Sequence, residues 1–411
     1  MWKSWGLILL FLFVGVVQVS FAKAPVEDRD SRQDQYNYQT LNSSGAVIWK
    51  IESPKKRDIN LKPGESFQQL KVQSQQVSIQ SLLAKNPNLA KLKVIAIIGD
   101  TGCRLKESVA KSSYQDCSDP KKWRYPQVIA SIVKEKPDLI IHVGDYHYRE
   151  QCSAGKACGK MSPEIGYGWG PWKLDFFDPS QSAFAVAPWL IVRGNHEDCH
   201  RAYLGYRLLL RNENWSAECE DFETPQVIEL GNLAIINLDS SSISDGPEFI
   251  GDSQNLWKKR MEVIAEKLKT VKAKHIWMVT HKPVYGLVPL ALAYAPVNVN
   301  LRKYFENTSW SKRVELILAG HVHNSQVVRA QNEPPQLVIG NGGTALDNSK
   351  ASISAENISA LGYEKAKLVF NDFGYVLIKN PDSDQAQIEF HDSSGAGVFS
   401  CHLTGRAQDC F

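Results

Sequence analysis

Between residues 91 and 343 the chain repeats one device: a short, continuously apolar run that stops on polar residues able to bind a metal or a proton. The runs read KVIAIIGD (93–100), DLIIHVGD (138–145), PWLIVRGNHE (188–197), LAIINLDSS (233–241), HIWMVTH (275–281), VELILAGHVH (314–323) and QLVIGNGG (336–343). A strand with one face in water alternates apolar with polar; one that is apolar throughout is covered on both faces. Helix-like stretches separate the runs. RYPQVIASIVKEK (124–136) is one, and residues 255–274 carry Trp257, Met261, Ile264, Leu268 and Val271 at spacings of 4, 3, 4 and 3, a face for core packing. WKLDFFDPSQSAFAVA (172–187) is helical at its start. Strands alternating with helices predict an α/β fold, in which sites gather beyond the carboxyl ends of the strands. After residue 362, AKLVF, FGYVLIK, AQIEF and GVFSCHL predict a run of antiparallel strands.

The polar strand ends are Gly99-Asp100-Thr101-Gly102, Gly144-Asp145-Tyr146-His147-Tyr148, Gly194-Asn195-His196-Glu197, Thr280-His281 and Gly320-His321-Val322-His323. Singly each has a plain explanation: Gly-Asp after a strand is commonly a turn, and two histidines on one strand face are weak evidence of a metal. Five such ends on successive strands of one chain are hard to assign to chance.

Taken in order, GDTG, GDYHY, GNHE, MVTH and GHVH resemble the GDxG, GDxxY, GNH(D/E), VxxH and GHxH motifs of the calcineurin-like metallophosphoesterases, and within them the purple acid phosphatases. The fourth is a partial match, with Met278 where valine is usual. Longer runs such as GDTGCRLK and APWLIVRGNHE also look like a group of secreted metallophosphoesterases. The resemblance implies a four-layer α/β/β/α sandwich with two mixed β-sheets, and a phosphoesterase working with two metal ions. Two such ions about 3.5–4 Å apart bind phosphate oxygens, neutralise charge and turn a water into hydroxide near neutral pH. By resemblance one metal takes Asp100, Asp145, Tyr148 and His323, and the other takes Asp145, Asn195, His281 and His321, with Asp145 as the bridge. The nitrogen-rich set suits a divalent Zn, Mn or Fe; the set with two carboxylates and a phenol suits a harder ion such as ferric iron. The resemblance also makes His196 the residue that contacts phosphate and assists the leaving group, against a plainer reading as a hydrogen-bond partner behind a ligand. His147 and Arg149 flank Tyr148 and either reach substrate or are solvated loop residues. His142, inside a strand, reads as a core histidine; His200, His275, His391 and His402 are given no role.

A free phenol holds its proton to about pH 10, so tyrosine seldom binds metals. Here GDTG has no histidine where the wider superfamily has GDxH, which leaves the first metal short of a ligand that Tyr148 would supply. One departure counts against a simple purple acid phosphatase. HKPVYGLVPLALAYAPVNVN has no further histidine after His281, so the second proton-handling group is missing or comes from elsewhere. A phosphodiesterase with two divalent ions, and a non-catalytic secreted binding protein of the same fold, are the alternatives. The plant-type N-terminal fibronectin-like domain is not expected either, residues 23–90 being too few.

The rest of the chain bounds the setting. Its 411 residues, 43% of them apolar, allow one large domain with additions, or two domains. Net charge is +3 and no long basic run occurs, so nothing points to nucleic acid; the expected partner is a small phosphorylated substrate. Lys3, the apolar residues 6–18 and Ser20-Phe21-Ala22 read as a signal peptide cut after Ala22, which predicts a secreted or periplasmic protein with no stable membrane anchor afterwards. An uncleaved anchor is the alternative. Residues 23–90, with strand-like AVIWKI and weakly alternating KVQSQQVSIQSL, are expected as an N-terminal extension packed on a catalytic domain of residues 91–411. All eight cysteines follow the cleavage site, and neighbour pairing predicts Cys103–Cys117, Cys152–Cys158, Cys199–Cys219 and Cys401–Cys410. Asn42, Asn214, Asn307 and Asn357 begin sequons that matter only in a eukaryotic host.

Overall fold

The computed structural model of the chain describes residues 34–54, 62–105, 114–151, 164–212, 218–246, 251–290, 293–347 and 355–411. The leader with its cleavage site at Ala22, the Cys152–Cys158 pair and the Asn214 sequon lie outside the described residues.

The strands are, in chain order, β1 (Gln35–Asn42), β2 (Gly45–Glu52), β3 (Lys71–Ser78), β4 (Val94–Ile98), β5 (Leu139–His142), β6 (Trp189–Ile191), β7 (Gln226–Leu230), β8 (Leu233–Leu238), β9 (His275–Thr280), β10 (Leu287–Pro289), β11 (Tyr294–Pro296), β12 (Leu316–Ala319), β13 (Ser325–Arg329), β14 (Gln336–Ile339), β15 (Lys365–Phe370), β16 (Gly374–Lys379), β17 (Ala386–Asp392), β18 (Gly397–Thr404) and β19 (Ala407–Gln408). They form a ten-stranded sheet ordered β19-β18-β17-β16-β4-β5-β6-β1-β2-β3, a seven-stranded sheet ordered β15-β13-β14-β12-β9-β8-β7, and the small β10-β11 pair. Both large sheets are mixed. β4, β5 and β6 are parallel in the first, and β8, β9, β12 and β14 are parallel in the second.

Alternation within each strand sets the layers. Ile95 and Ile97 of β4 share a cluster with Leu233 and Ile235 of β8, Trp277 and Val279 of β9, and Leu316 and Leu318 of β12, so the two sheets pack on each other there. Their neighbours in sequence face outward. Ala96 and Ile98 meet Val128, Ile129 and Ile132 of the helix Tyr125–Glu135 and the aromatic side chains of the helical segment Trp169–Phe184. Ala234, Ile236, Ile276, Met278 and Ile317 meet Trp257, Met261 and Ile264 of the helix Asp252–Leu268 and Leu301 and Phe305 of the helix Val299–Glu306. The order is therefore helix, sheet, sheet, helix, and a strand apolar at every position is what such a sandwich requires. Val271 lies past the end of its helix, so the predicted stripe closes at Leu268.

The described part of residues 23–90 continues the first sheet. β1 runs parallel to β6, pairing Thr40 with Trp189 and Leu41 with Leu190, and β2 and β3 follow antiparallel. Tyr36, Tyr38 and Trp49 join the aromatic cluster of Phe177, Phe184 and Trp189. The four segments predicted after residue 362 are antiparallel strands, divided between the two sheets. β15 pairs with β13 in the second sheet, while β16, β17 and β18 belong to the first, where β16 lies antiparallel to β4. The apolar pattern of β15 suits either sheet; the turn at 371–373 carries the chain across. Cys103–Cys117, Cys199–Cys219 and Cys401–Cys410 are disulfides. Among the described residues no helix is long and apolar enough to cross a membrane.

Candidate metal centre

The parallel strands of both sheets end on the same side, and the polar residues predicted from sequence meet there. Three of them sit at left-handed backbone positions: Asp100 (φ 54°), Asp145 (φ 59°) and His321 (φ 73°). Such conformations are uncommon outside glycine and cost of order 1–3 kcal/mol each, so the surroundings must hold them. They do. The amides of Asp100 and Thr101 donate to the carbonyls of Gly144 and Asp145 at 3.0 Å, and the amide of Gly320 donates to the His281 carbonyl at 2.9 Å. Gly144 (φ 100°) admits this approach: a Cβ there would lie 2.5 Å from His281 Nδ1.

Around Tyr148 the hydroxyl oxygen lies 3.0 Å from Asp100 Oδ1, 2.9 Å from Asp145 Oδ2 and 3.0 Å from His323 Nε2. Around Asn195, Oδ1 lies 2.9 Å from His281 Nε2 and 2.8 Å from His321 Nδ1. Asp145 Oδ2 is also 3.2 Å from His281 Nε2, so one carboxylate touches both groups. All seven residues named as ligands are thus within two overlapping sets. Their chemistry fits cations. The phenol has one proton to offer two carboxylate oxygens, with an imidazole nitrogen on the same oxygen, so lone pairs crowd one point. The histidines point the same way. His281 Nδ1 is 2.8 Å from the Val143 carbonyl and His321 Nε2 is 3.2 Å from Asp245 Oδ2, so those nitrogens carry the hydrogens and the other nitrogen of each ring faces the centre.

Electrostatics of the metal-free chain carry the same mark. Burial pushes Asp100 up to about 6. Burial works against the imidazolium of His281, but Asp145 and Asp100 outweigh it and lift the group to about 9, so a protonated His281 stands where a cation would. Burial raises the Tyr148 phenol well above its usual range, and Asp100 and Asp145 add to the effect. A bound cation reverses this logic.

His196 lies under the phenol, its ring centroid 3.8 Å from that of Tyr148. Its amide donates to Asp145 Oδ1 at 2.9 Å. Nδ1 sits 3.1 Å from the His147 carbonyl and 3.0 Å from Glu150 Oε1, while Nε2 lies 3.8 Å from Asp145 Oδ2. Arg201 closes the group, its Nε 2.6 Å from Glu150 Oε1 and its Nη2 2.7 Å from His196 Nδ1. Burial lowers His196 from the ordinary imidazole value, with Asp145 and Glu150 pulling the other way.

The two residues expected beside substrate are not brought to the cluster. His147 is fully buried against Tyr167 and Trp172, and neither ring nitrogen has a hydrogen-bond partner among the described residues. Arg149 is drawn onto Asp175 at 2.6 Å, with its guanidinium over Trp123. The cause is a carboxylate that sequence reasoning missed. Asp175, from the helical segment after β5, accepts from the amides of Cys103, Tyr148 and Arg149 and fixes the loop that carries Tyr148. Glu197 was overlooked too, although it closes GNHE: it accepts from the amides of Asp145, Tyr146, His147 and Gly194 and ties two motifs together. Its signal was the acidic fourth position of that motif; Asp175 had only a charge within an apolar helix. His142 is a core histidine, bonded to Thr101 Oγ1 at 2.9 Å and stacked on Tyr146.

A family model described as calcineurin-like phosphoesterase matches residues 93–325. No curated protein matches the chain in sequence. Among solved structures the chain is similar to PhoD, with a TM-score of 0.53 and 12% identity over 90% of each chain. It is similar also to the purple acid phosphatase PPD1 from yellow lupin (Lupinus luteus) seeds, with a TM-score of 0.46 and 14% identity over 89% of this chain and 60% of the lupin chain. A dimetal phosphatase from Danio rerio gives a TM-score of 0.46 and 11% identity over 77% of this chain and 99% of the fish chain.

Proposed function

The chain belongs to the calcineurin-like phosphoesterase family of metal-dependent phosphoester hydrolases, and from that premise we propose an exported, purple acid phosphatase-like enzyme that holds two metal ions and hydrolyses a small phosphate ester. The observation that carries the reading is the convergence of seven donors into two sets that share Asp145. Asp100, Asp145, Tyr148 and His323 would hold one ion; Asp145, Asn195, His281 and His321 would hold the other. The chemistry that a pair of ions held there would supply is neutralisation of phosphate charge and activation of water at neutral pH. The phenol and two carboxylates favour iron in the first position, and the nitrogen-rich set favours Zn, Mn or Fe in the second.

The chain's own groups do the rest. Glu150, Arg201 and the His147 carbonyl surround His196 Nδ1, which leaves Nε2 on the side of Asp145; from there it would pass a proton to the departing oxygen. Glu197 and Asp175 keep the Asp145–Arg149 loop rigid, so the ligands need no reorganisation when substrate arrives. Lys282, which follows His281, bonds the Ile243 carbonyl and Asp245, so it does not replace the histidine missing after that motif. The disulfides support export.

Metal analysis of purified protein, with a screen of aryl phosphomonoesters and phosphodiesters, tests the reading. Two metals per chain and turnover of monoesters are expected. Turnover of diesters alone with two divalent ions makes it a phosphodiesterase. Bound metal without turnover of either class makes it a binding protein.

A further inference from the structure

Both histidines of the GHVH run are backed by carboxylates that belong to none of the five motif ends. Asp245 follows β8, and its Oδ2 lies 3.2 Å from His321 Nε2. Asp347 follows β14, and its Oδ1 lies 3.6 Å from His323 Nδ1. Sheet order explains the pairing: β12, which delivers GHVH, lies in the block β14-β12-β9-β8, so a loop reaches it from each side. Neither contact is a loose surface pair. Asp347 Oδ2 accepts from the His323 amide at 3.1 Å and the Asp347 amide donates to the His323 carbonyl at 3.0 Å, so the carboxylate is fixed to the His323 backbone with its Oδ1 beside the ring, at ion-pair rather than hydrogen-bond distance. Asp245 has a side chain 48% exposed, which by itself would leave it mobile, but its Oδ1 is held 3.1 Å from the Lys282 ammonium. That ammonium is buried and bonded to the Ile243 carbonyl at 2.5 Å, and the Lys282 amide donates to Ser240 Oγ at 2.8 Å.

Resting on the metal-centre reading above, we infer that Asp245 and Asp347 are positioning residues, one for each metal position. Asp245, pinned by Lys282, holds His321 with Nδ1 toward Asn195; Asp347 holds His323 with Nε2 toward Tyr148. A carboxylate behind a metal-binding imidazole fixes the ring and raises its basicity, and losing it costs about 10–100-fold in metal affinity. Because the two carboxylates act on different rings, their losses are separable.

The test is calorimetric titration of metal-free protein with Zn(II), on wild type, Asp245→Asn, Asp347→Asn and the double variant, with circular dichroism as a check on folding. Wild type should take up two ions in two steps. Each single variant should weaken one step by about 10–100-fold and spare the other, the double variant should show both losses, and Asp→Glu should restore part of each. Both single variants weakening the same step, a double variant no worse than one single, or unchanged affinities would overturn the inference while leaving the metal centre intact. Wild type taking up fewer than two ions would overturn the metal-centre reading and the inference with it.

Discussion

His281 and His321 each commit one nitrogen to the protein, and that commitment decides what the other nitrogen does. His281 gives Nδ1 to a backbone carbonyl and His321 gives Nε2 to Asp245, so each ring turns its remaining nitrogen toward Asn195. His196 has Nδ1 among the His147 carbonyl, Glu150 and Arg201, and its Nε2 stands 3.8 Å from Asp145, beside the donor sets without entering them. In the proposed mechanism it would serve proton transfer. His196→Ala should therefore lower kcat by about 10²–10⁴-fold and leave metal content unchanged; full activity in steady-state assays would remove it from the mechanism. Tyr148 makes a separate case. Its phenol is buried, and Asp100 and Asp145 oppose ionisation, so only a strongly charged ion would draw off its proton. Loaded with ferric iron the protein should be coloured. Tyr148→Phe, which keeps the ring packed against His196, should bleach that colour and weaken retention of the ion beside Asp100 and His323 without unfolding the chain. A colourless ferric wild type, with both metals bound normally by the phenylalanine variant, would make Tyr148 a loop aromatic.

At the scale of the element, the recurring unit is a parallel strand closed by a left-handed turn. The strand supplies rigidity through burial on both faces, and the turn at Asp100, Asp145 or His321 stops the ladder and gives the side chain its aim. The cost of these turns is met by the packing of one strand end on the next. Gly144 is where that packing is tightest, since an added Cβ would fall 2.5 Å from His281 Nδ1 and 2.9 Å from Gly194 Cα, at a φ of 100°. Gly144→Ala should accordingly lose more than about 1 kcal/mol of stability in urea titration, and should bind metal more weakly because His281 is displaced. A variant with wild-type midpoint and metal content would show that the close approach of these strand ends is not what aims His281.

Over the whole molecule, the catalytic sheet and the N-terminal segment share one core. Tyr36, Tyr38 and Trp49 are buried with Phe177, Phe184 and Trp189, and Leu41, Ala46 and Val77 join the layer between the sheets. A construction of this kind predicts that residues 34–78 are not dispensable. Deleting them uncovers β6 and its aromatic neighbours, and each large side chain stripped of its packing is worth about 3–5 kcal/mol, a large fraction of a domain's total stability. The truncated protein should be recovered in the insoluble fraction. Soluble, cooperatively unfolding protein lacking residues 34–78 would instead identify an appended extension.

What the sequence determined by itself was local. Continuous apolar runs announced strands covered on both sides, and the polar residues covalently next to each strand end stood out, because a strand and its terminal turn are set by near neighbours; the resemblance to metallophosphoesterase motifs assigned them as ligands. Three neighbouring cysteine pairs met on the same footing; the fourth lies outside the described residues. The tertiary structure decided the partners behind the site. Asp175 takes Arg149 and the Tyr148 amide, Glu197 gathers four amides, and Asp245 and Asp347 come from the loops after β8 and β14. It also sent β15 to the second sheet. Side chains tens of residues apart carry no mark of their meeting in local pattern. Their proximity follows from the order in which strands add to a sheet, and that order is chosen by the packing of the whole core.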